Sequence, residues 1–137
     1  MASSSSQTLN DQANGARLSR LLIDKGTQAL RRILQLHLSY LLSTLPAALN
    51  THKARLQKLR YKVINPSQWA LLYPASSPPD LQKFDVTLLT VLLRNICGLT
   101  SPATGWDALP PDGDTSIADN IARIKYYRNK VYAHVTT

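Results

Sequence analysis

At 137 residues and 15.2 kDa, with 44% hydrophobic and 18% charged residues, the chain can bury one ordinary core without disulfides or metals, so a second domain is not required. Its single cysteine, Cys97, lies in the apolar run LLTVLLRNICGL, which excludes an internal disulfide and points to a buried thiol in a reducing, cytoplasmic setting. The formal net charge of +8 favours polyanionic partners. The start MASSSSQTLNDQ lacks the basic-then-apolar order of a signal peptide, and no uncharged apolar run of about 18 residues follows, so a soluble protein without membrane association is expected.

Residues 1–15 are Ser-rich and polar and are expected to be disordered, leaving 16–137 as the folded domain. From Ala16 the pattern turns helical. Leu18, Leu21, Leu22 and Lys25 share a face. After a break at Gly26 with Thr27 as a cap, Leu30, Ile33, Leu34, Leu38, Leu41, Leu42 and Leu45 continue it until Pro46 closes or bends the run. Asn50 or Thr51 can then cap a short basic helix with Leu56, Leu59 and Val63 as its apolar side, ended by Asn65-Pro66. This segment carries Lys53, Arg55, Lys58, Arg60 and Lys62. All 8 acidic residues are Asp, and none lies between Asp24 and Asp80, so the cluster lacks local counter-charges. It suits RNA phosphates through counterion release, and equally a solvated helix face.

The turn WALLY is expected to pack Trp69 and Leu72 onto the bundle, and Pro78-Pro79 halts what precedes it. FDVTLLTVLLRNIC, apolar on most sides, reads as the central buried helix, with Asp85 at its N-terminus and Gly98 as its stop. A long loop follows, with Trp106 as its anchor, and Thr115 or Ser116 caps a last helix over 117–135. No strand-like alternation holds anywhere. The fold class is all-α: a single-domain helical bundle of four to five helices with a long loop before the last.

On that last helix Ile117, Ile121, Ile124, Arg128, Val131 and Val135 recur at spacings of three and four, which sets Arg128 inside an apolar stripe. His134 falls ~120° around the helix and about 9 Å along it. A guanidinium facing the seam requires a partner: a core carboxylate, a water-lined crevice, a second subunit or a phosphate. Chemically the pair suits metal-independent phosphodiester cleavage, in which the guanidinium meets developing charge and the imidazole moves a proton near neutrality. Asn129 adds an orienting amide, and Tyr127 and Lys130 add stacking surface and charge. By spacing alone an ordinary helix pair is favoured, since Arg31 and Arg32 also precede His37 by a similar interval. Cys97 reads as core rather than nucleophile. His37 and His52 have no ligand-spaced neighbours, so no metal site and no cofactor are expected. Arg94 is expected to pair with an Asp or with backbone carbonyls.

The heptad RNKVYAH resembles the RN-x-x-x-AH signature of the HEPN superfamily. With GTQALRRIL, FDVTLLTVLLRNICGL, TGWDALP and DNIARIKYYRNKVYAH, the resemblance extends over roughly residues 16–135 to the HEPN-like domain of DAZ-interacting zinc-finger ubiquitin ligases. It implies a helical bundle that homodimerises through the motif helix. In nuclease members, Arg and His of two subunits form a composite RNA-cleaving site that leaves cyclic phosphate ends. Carried onto this chain, Arg128 binds phosphate or stabilises the transition state, His134 is the acid or base, and Asn129 is their polar partner. Relatives of this type sit before ATPase, death-fold or repeat modules in innate-immunity-like animal proteins, as RNA sensors or adaptors. The family continues with a further helix after the motif, whereas only three residues follow His134, so a domain truncated at its C-terminus is expected. A non-catalytic interaction or dimerisation scaffold is the alternative function.

Overall fold

The computed structural model describes the backbone of residues 2–136 and the side chains of residues 14–133 apart from 16 and 19. Among these residues the chain forms α1 (Ala2–Tyr40), α2 (Leu45–Thr51), α3 (Lys53–Gln57), α4 (Pro66–Leu72), α5 (Val86–Ile96) and α6 (Ile117–Thr136), with a 3₁₀ turn at Leu81–Lys83. The all-α bundle expected from the sequence is therefore present. It has six helices rather than four to five, because the basic segment and WALLY each make short helices of their own. Residues 2–15, expected to be disordered, belong to α1.

The expected break in the first helix does not occur. Thr27 lies inside α1 and its hydroxyl donates to the Ile23 carbonyl (2.7 Å), so it caps nothing. Gly26 serves a helix crossing: a Cβ placed there would meet Ile124 Cγ2 of α6 at 2.9 Å. Ile124 is β-branched and stiff at χ1 on a helix, so extra volume must push the helices apart. Gly26→Val is accordingly expected to destabilise the fold by about 1–3 kcal/mol. Thermal denaturation checks this, and an unchanged Tm would mean that the crossing is not close.

Termination of α1 comes at Tyr40, not at Pro46. The Leu42 N–H donates to Ser39 O (3.1 Å) and the Ser43 N–H to Leu38 O (2.9 Å), the paired bonds of a Schellman motif. The left-handed position falls on Leu42, φ 54°, where glycine is the usual occupant. Pro46 instead lies in the first turn of α2, whose N-cap is Thr44 accepting from the Ala47 N–H (3.3 Å). Thr51 ends α2 rather than capping the basic helix, and α3 starts at Lys53, its N-cap His52 making no side-chain cap bond. Likewise Asn65-Pro66 opens α4. Asn65 and Gln68 form a reciprocal capping box, with bonds of 2.8 and 2.9 Å.

The later elements follow the sequence reading closely. Asp85 caps α5 by accepting from the Leu88 N–H (2.8 Å), and Gly98 ends the segment at φ 62°. Ser116 caps α6, its hydroxyl accepting from the Asp119 N–H (3.1 Å) while Asp119 accepts from the Ser116 N–H (3.1 Å).

Helices α1, α5 and α6 pack on one another to form the core. Leu30, Leu34 and Leu38 of α1 meet Leu88, Leu89, Leu92 and Leu93 of α5 and Ile121 of α6, with Phe84 buried at the entrance to α5. Ala118 and Ala122 are also buried, so the inner face of α6 is rotated toward small residues that allow close approach, and Ile117 is left 54% exposed. The short helices close one side of the core with Leu49, Leu56, Ile64 and Leu72. Trp69 and Trp106 pack against it as expected, and the Trp106 indole donates to Ser101 Oγ (3.0 Å).

Arg31 ties the frame together. It donates to the carbonyls of Leu81 (3.3 Å), Gln82 (3.0 Å) and Phe84 (3.2 Å), fixing the 3₁₀ turn against α1. Cys97 is half-buried, and burial pushes its thiol up to about 11, which keeps it protonated at neutral pH as a core residue should be. Leu18, Leu21 and Leu22, which share a face of α1, are 57%, 52% and 58% exposed, as is most of Leu42.

Candidate functional site on the last helix

Arg128 is placed by two elements. Its own helix sets it toward the seam, and α5 meets it with Thr87, whose hydroxyl accepts from Arg128 Nη2 at 2.7 Å. Tyr132, one turn on, puts its ring 5.2 Å from the guanidinium carbon. Arg128 Nε is buried and has no hydrogen-bond partner. No carboxylate holds this cation among the described residues. A core aspartate, which would have made the residue purely structural, is therefore not its partner.

Beside the guanidinium, α1 and α6 leave a cleft of about 450 Å³. Leu22, Ile23, Val86, Ile124 and Val131 give it apolar walls, while Arg123, Arg128 and Lys130 contribute its charges. None of its lining residues is acidic. Arg123 is partly engaged, donating to Pro111 O (2.6 Å) and Asn120 Oδ1 (2.9 Å). Lys130 lies 5.5 Å from the Tyr126 ring centroid, and Tyr127 borders the cleft at 54% exposure. Asn129 is exposed and does not line the cleft. The backbone carries α6 through position 134, but the side chains of His134 and Val135 lie outside the described residues.

The basic cluster occupies a different place. Arg55 donates to Asn95 O (2.9 Å) at the C-terminal end of α5, whereas Arg128 meets Thr87 at the N-terminal end. The two are separated by eight α5 positions, about 12 Å at 1.5 Å per residue. The cluster and Arg128 are thus not one site. Within it Lys53 lies 5.0 Å from the Tyr73 ring centroid, and Arg60 packs between Tyr61 and Trp69. Lys58 and Lys62 are exposed.

Sequence reasoning named Arg128 but not Thr87. The available signal was a hydroxyl in the first turn of an otherwise apolar helix. Arg94 is corrected: it is exposed over the Trp106 ring at 5.2 Å rather than bound to a carbonyl or ion-paired. Lys125, by contrast, pairs with Asp107 at 2.6 Å, and this hydrogen bond and charge, with a smaller share from Arg94, hold the Asp107 carboxyl below its usual range.

Arg128 is thus half-buried on the motif helix, beside a mainly apolar cleft. The profile of the DZIP3/hRUL138-like HEPN family matches residues 42–137, more than half of the chain. The chain belongs to this HEPN family. The match takes in the basic segment, α5, the long loop and the motif helix α6. Among curated proteins, the HEPN chain is 34% identical over 68 residues to the E3 ubiquitin-protein ligase DZIP3 of Mus musculus and 32% identical over 68 residues to that of Homo sapiens. In each case the alignment covers 49% of this chain and 6% of the relative, so the HEPN chain corresponds to a small part of those ligases. No solved structure matches it. Among the described residues no helix is long and apolar enough to cross a membrane, and no group of three or more His, Cys or Asp side chains gathers as a metal site would.

Proposed function

We propose that this HEPN domain is an RNA-directed module whose motif helix cleaves RNA without a metal. One observation carries the reading: Arg128 is set in the seam with a neutral hydroxyl as its hydrogen-bond acceptor and its Nε unpartnered, beside a mainly apolar cleft whose charged lining residues are all cations. A cation left in that state has capacity for phosphate oxygens, and a guanidinium binds them through a fork of N–H donors.

In the proposed step the RNA 2′-oxygen attacks the adjacent phosphorus while its proton passes to a base, and the bond from phosphorus to the 5′-oxygen breaks as that oxygen receives a proton. The products are a 2′,3′-cyclic phosphate and a 5′-hydroxyl. His134 serves as acid or base. Arg128 stabilises charge on the phosphoryl oxygens, and Asn129 is the polar partner. Lys130 and Tyr127 on α6, with Lys53, Arg55, Lys58, Arg60 and Lys62 at the far end of α5, hold the strand.

A homodimer through the motif helix fits the same surface. Leu18, Leu21, Leu22, Tyr127 and Tyr132 are each about half exposed, an apolar face that a second copy would cover. That exposure also supports a second reading, a dimerisation scaffold without catalysis. In cells the module would act in the cytoplasm as a sensor or adaptor within a larger innate-immunity-like protein. Incubation with single-stranded RNA in EDTA separates the readings. Under the proposal the RNA is cut, His134→Ala lowers the rate about 10²- to 10⁴-fold, and His37→Ala leaves it unchanged. Equal loss in both variants would remove His134 from the chemistry, binding without cutting leaves an RNA sensor, and neither binding nor cutting favours the scaffold.

A further inference from the structure

The loop over residues 58–64, at the opposite end of α5 from Arg128, holds an aromatic residue in an unusual state. Tyr61 has φ 69°, in the left-handed region where a bulky side chain is a genuine outlier. The conformation is fixed from both sides. Its N–H donates to Ile64 O (2.8 Å), and the Ile64 N–H returns to Leu59 O (3.0 Å) with the Ile64 side chain fully buried. Yet Tyr61 itself is 72% exposed, so the strain secures no burial for the ring. The turn seats Ile64 in the core, but glycine would make the same turn at less cost, so the exposed ring points to a purpose of its own.

Neighbouring groups suggest that purpose. The Arg60 guanidinium is sandwiched, 5.0 Å from the Tyr61 centroid and 4.8 Å from that of Trp69. One face of Tyr61 thus rests on a cation that is itself held by a ring in the bundle, and the exposed remainder is available. Lys58 and Lys62 lie three residues before and one after Tyr61 in the chain, both exposed, and neither forms an ion pair or side-chain hydrogen bond among the described residues. No acidic residue occurs anywhere in the sequence from 25 to 79. A rigidly backed aromatic face between unengaged cations is the combination that single-stranded nucleic acid requires, because unpaired bases stack on the ring while phosphates take the charges. An acidic peptide would use the cations but has no use for the ring.

We propose that this loop is a stacking platform for single-stranded RNA, with Tyr61 receiving an unpaired base and Lys58 and Lys62 holding the adjoining phosphates. The inference rests on the RNA-directed reading but on none of the residues of the motif helix. Tyr61→Gly is the informative variant, since glycine accepts the left-handed backbone and removes only the ring.

The test measures fluorescence anisotropy of a labelled oligouridylate with the full chain in the His134→Ala background, where the probe stays intact. Tyr61→Gly should weaken binding about 5- to 100-fold, with Tm unchanged within a few degrees. Tyr61→Phe should bind within about twofold of the parent, since it keeps the stacking face. A duplex RNA should bind at least about 10-fold more weakly, because its bases are already stacked. Undiminished binding by Tyr61→Gly, equal affinity for duplex, or equal affinity for polyglutamate would overturn the platform while leaving an RNA-directed protein. Absence of any RNA binding by the parent would overturn both.

Discussion

Arg128→Met is expected to lower RNA cleavage by about 10²- to 10³-fold, the loss typical of removing one transition-state donor, while leaving the protein as stable as before or more so. The two halves of this expectation have the same physical origin. A guanidinium in an apolar seam loses hydration, and here it recovers one hydrogen bond from a neutral hydroxyl, a contact with the Tyr132 ring and nothing for Nε. Such a cation contributes little to folding, and an apolar side chain of similar length fits the seam as well or better. Thr87 is only partly buried, so its freed hydroxyl can turn to water and no buried polar group is stranded. Paired measurements of Tm and cleavage rate decide the matter. A fall in Tm of many degrees would make Arg128 a structural residue.

Phe84→Ala should have the largest effect on stability, a loss of about 3–5 kcal/mol. Phe84 is the sole phenylalanine and is 1% exposed, buried where the 3₁₀ turn enters α5. Its carbonyl is also one of the three that Arg31 clamps, so collapse around the cavity would be resisted by the fixed backbone. Domains of this size have only about 5–15 kcal/mol in total, so the variant should sit near its unfolding midpoint. Urea denaturation would show the transition shifted to low denaturant. A midpoint moved by less than a quarter of the parent value would mean that the core lies elsewhere.

What could be read from the sequence was decided by how local the determining interaction is. The α5 boundaries were legible because Asp85 and Gly98 act on their own helix ends, and the same holds for Ser116 on α6. The end of α1 was not, since its Schellman motif uses Leu42 where glycine is the usual signal. Gly26 reads as a break by propensity, yet it is required by a side chain nearly a hundred positions away. Pro46 and Pro66 illustrate a directional ambiguity, because a proline that could end one helix can equally begin the next. At the site, periodicity set Arg128 in the seam, and only the resemblance at RNKVYAH singled it out. Its partner Thr87 was not, nor was the separation of the basic cluster from the motif helix, because both depend on how α5 is placed between them.

If the motif helix performs phosphodiester chemistry on RNA, the chemistry is recorded in the ends it leaves. Single-stranded RNA treated with the purified chain in EDTA is predicted to yield 5′-hydroxyl and 2′,3′-cyclic phosphate termini, and to yield none with the His134→Ala protein. Intact RNA after prolonged incubation with a dimeric, folded protein, or termini of another kind, would contradict it.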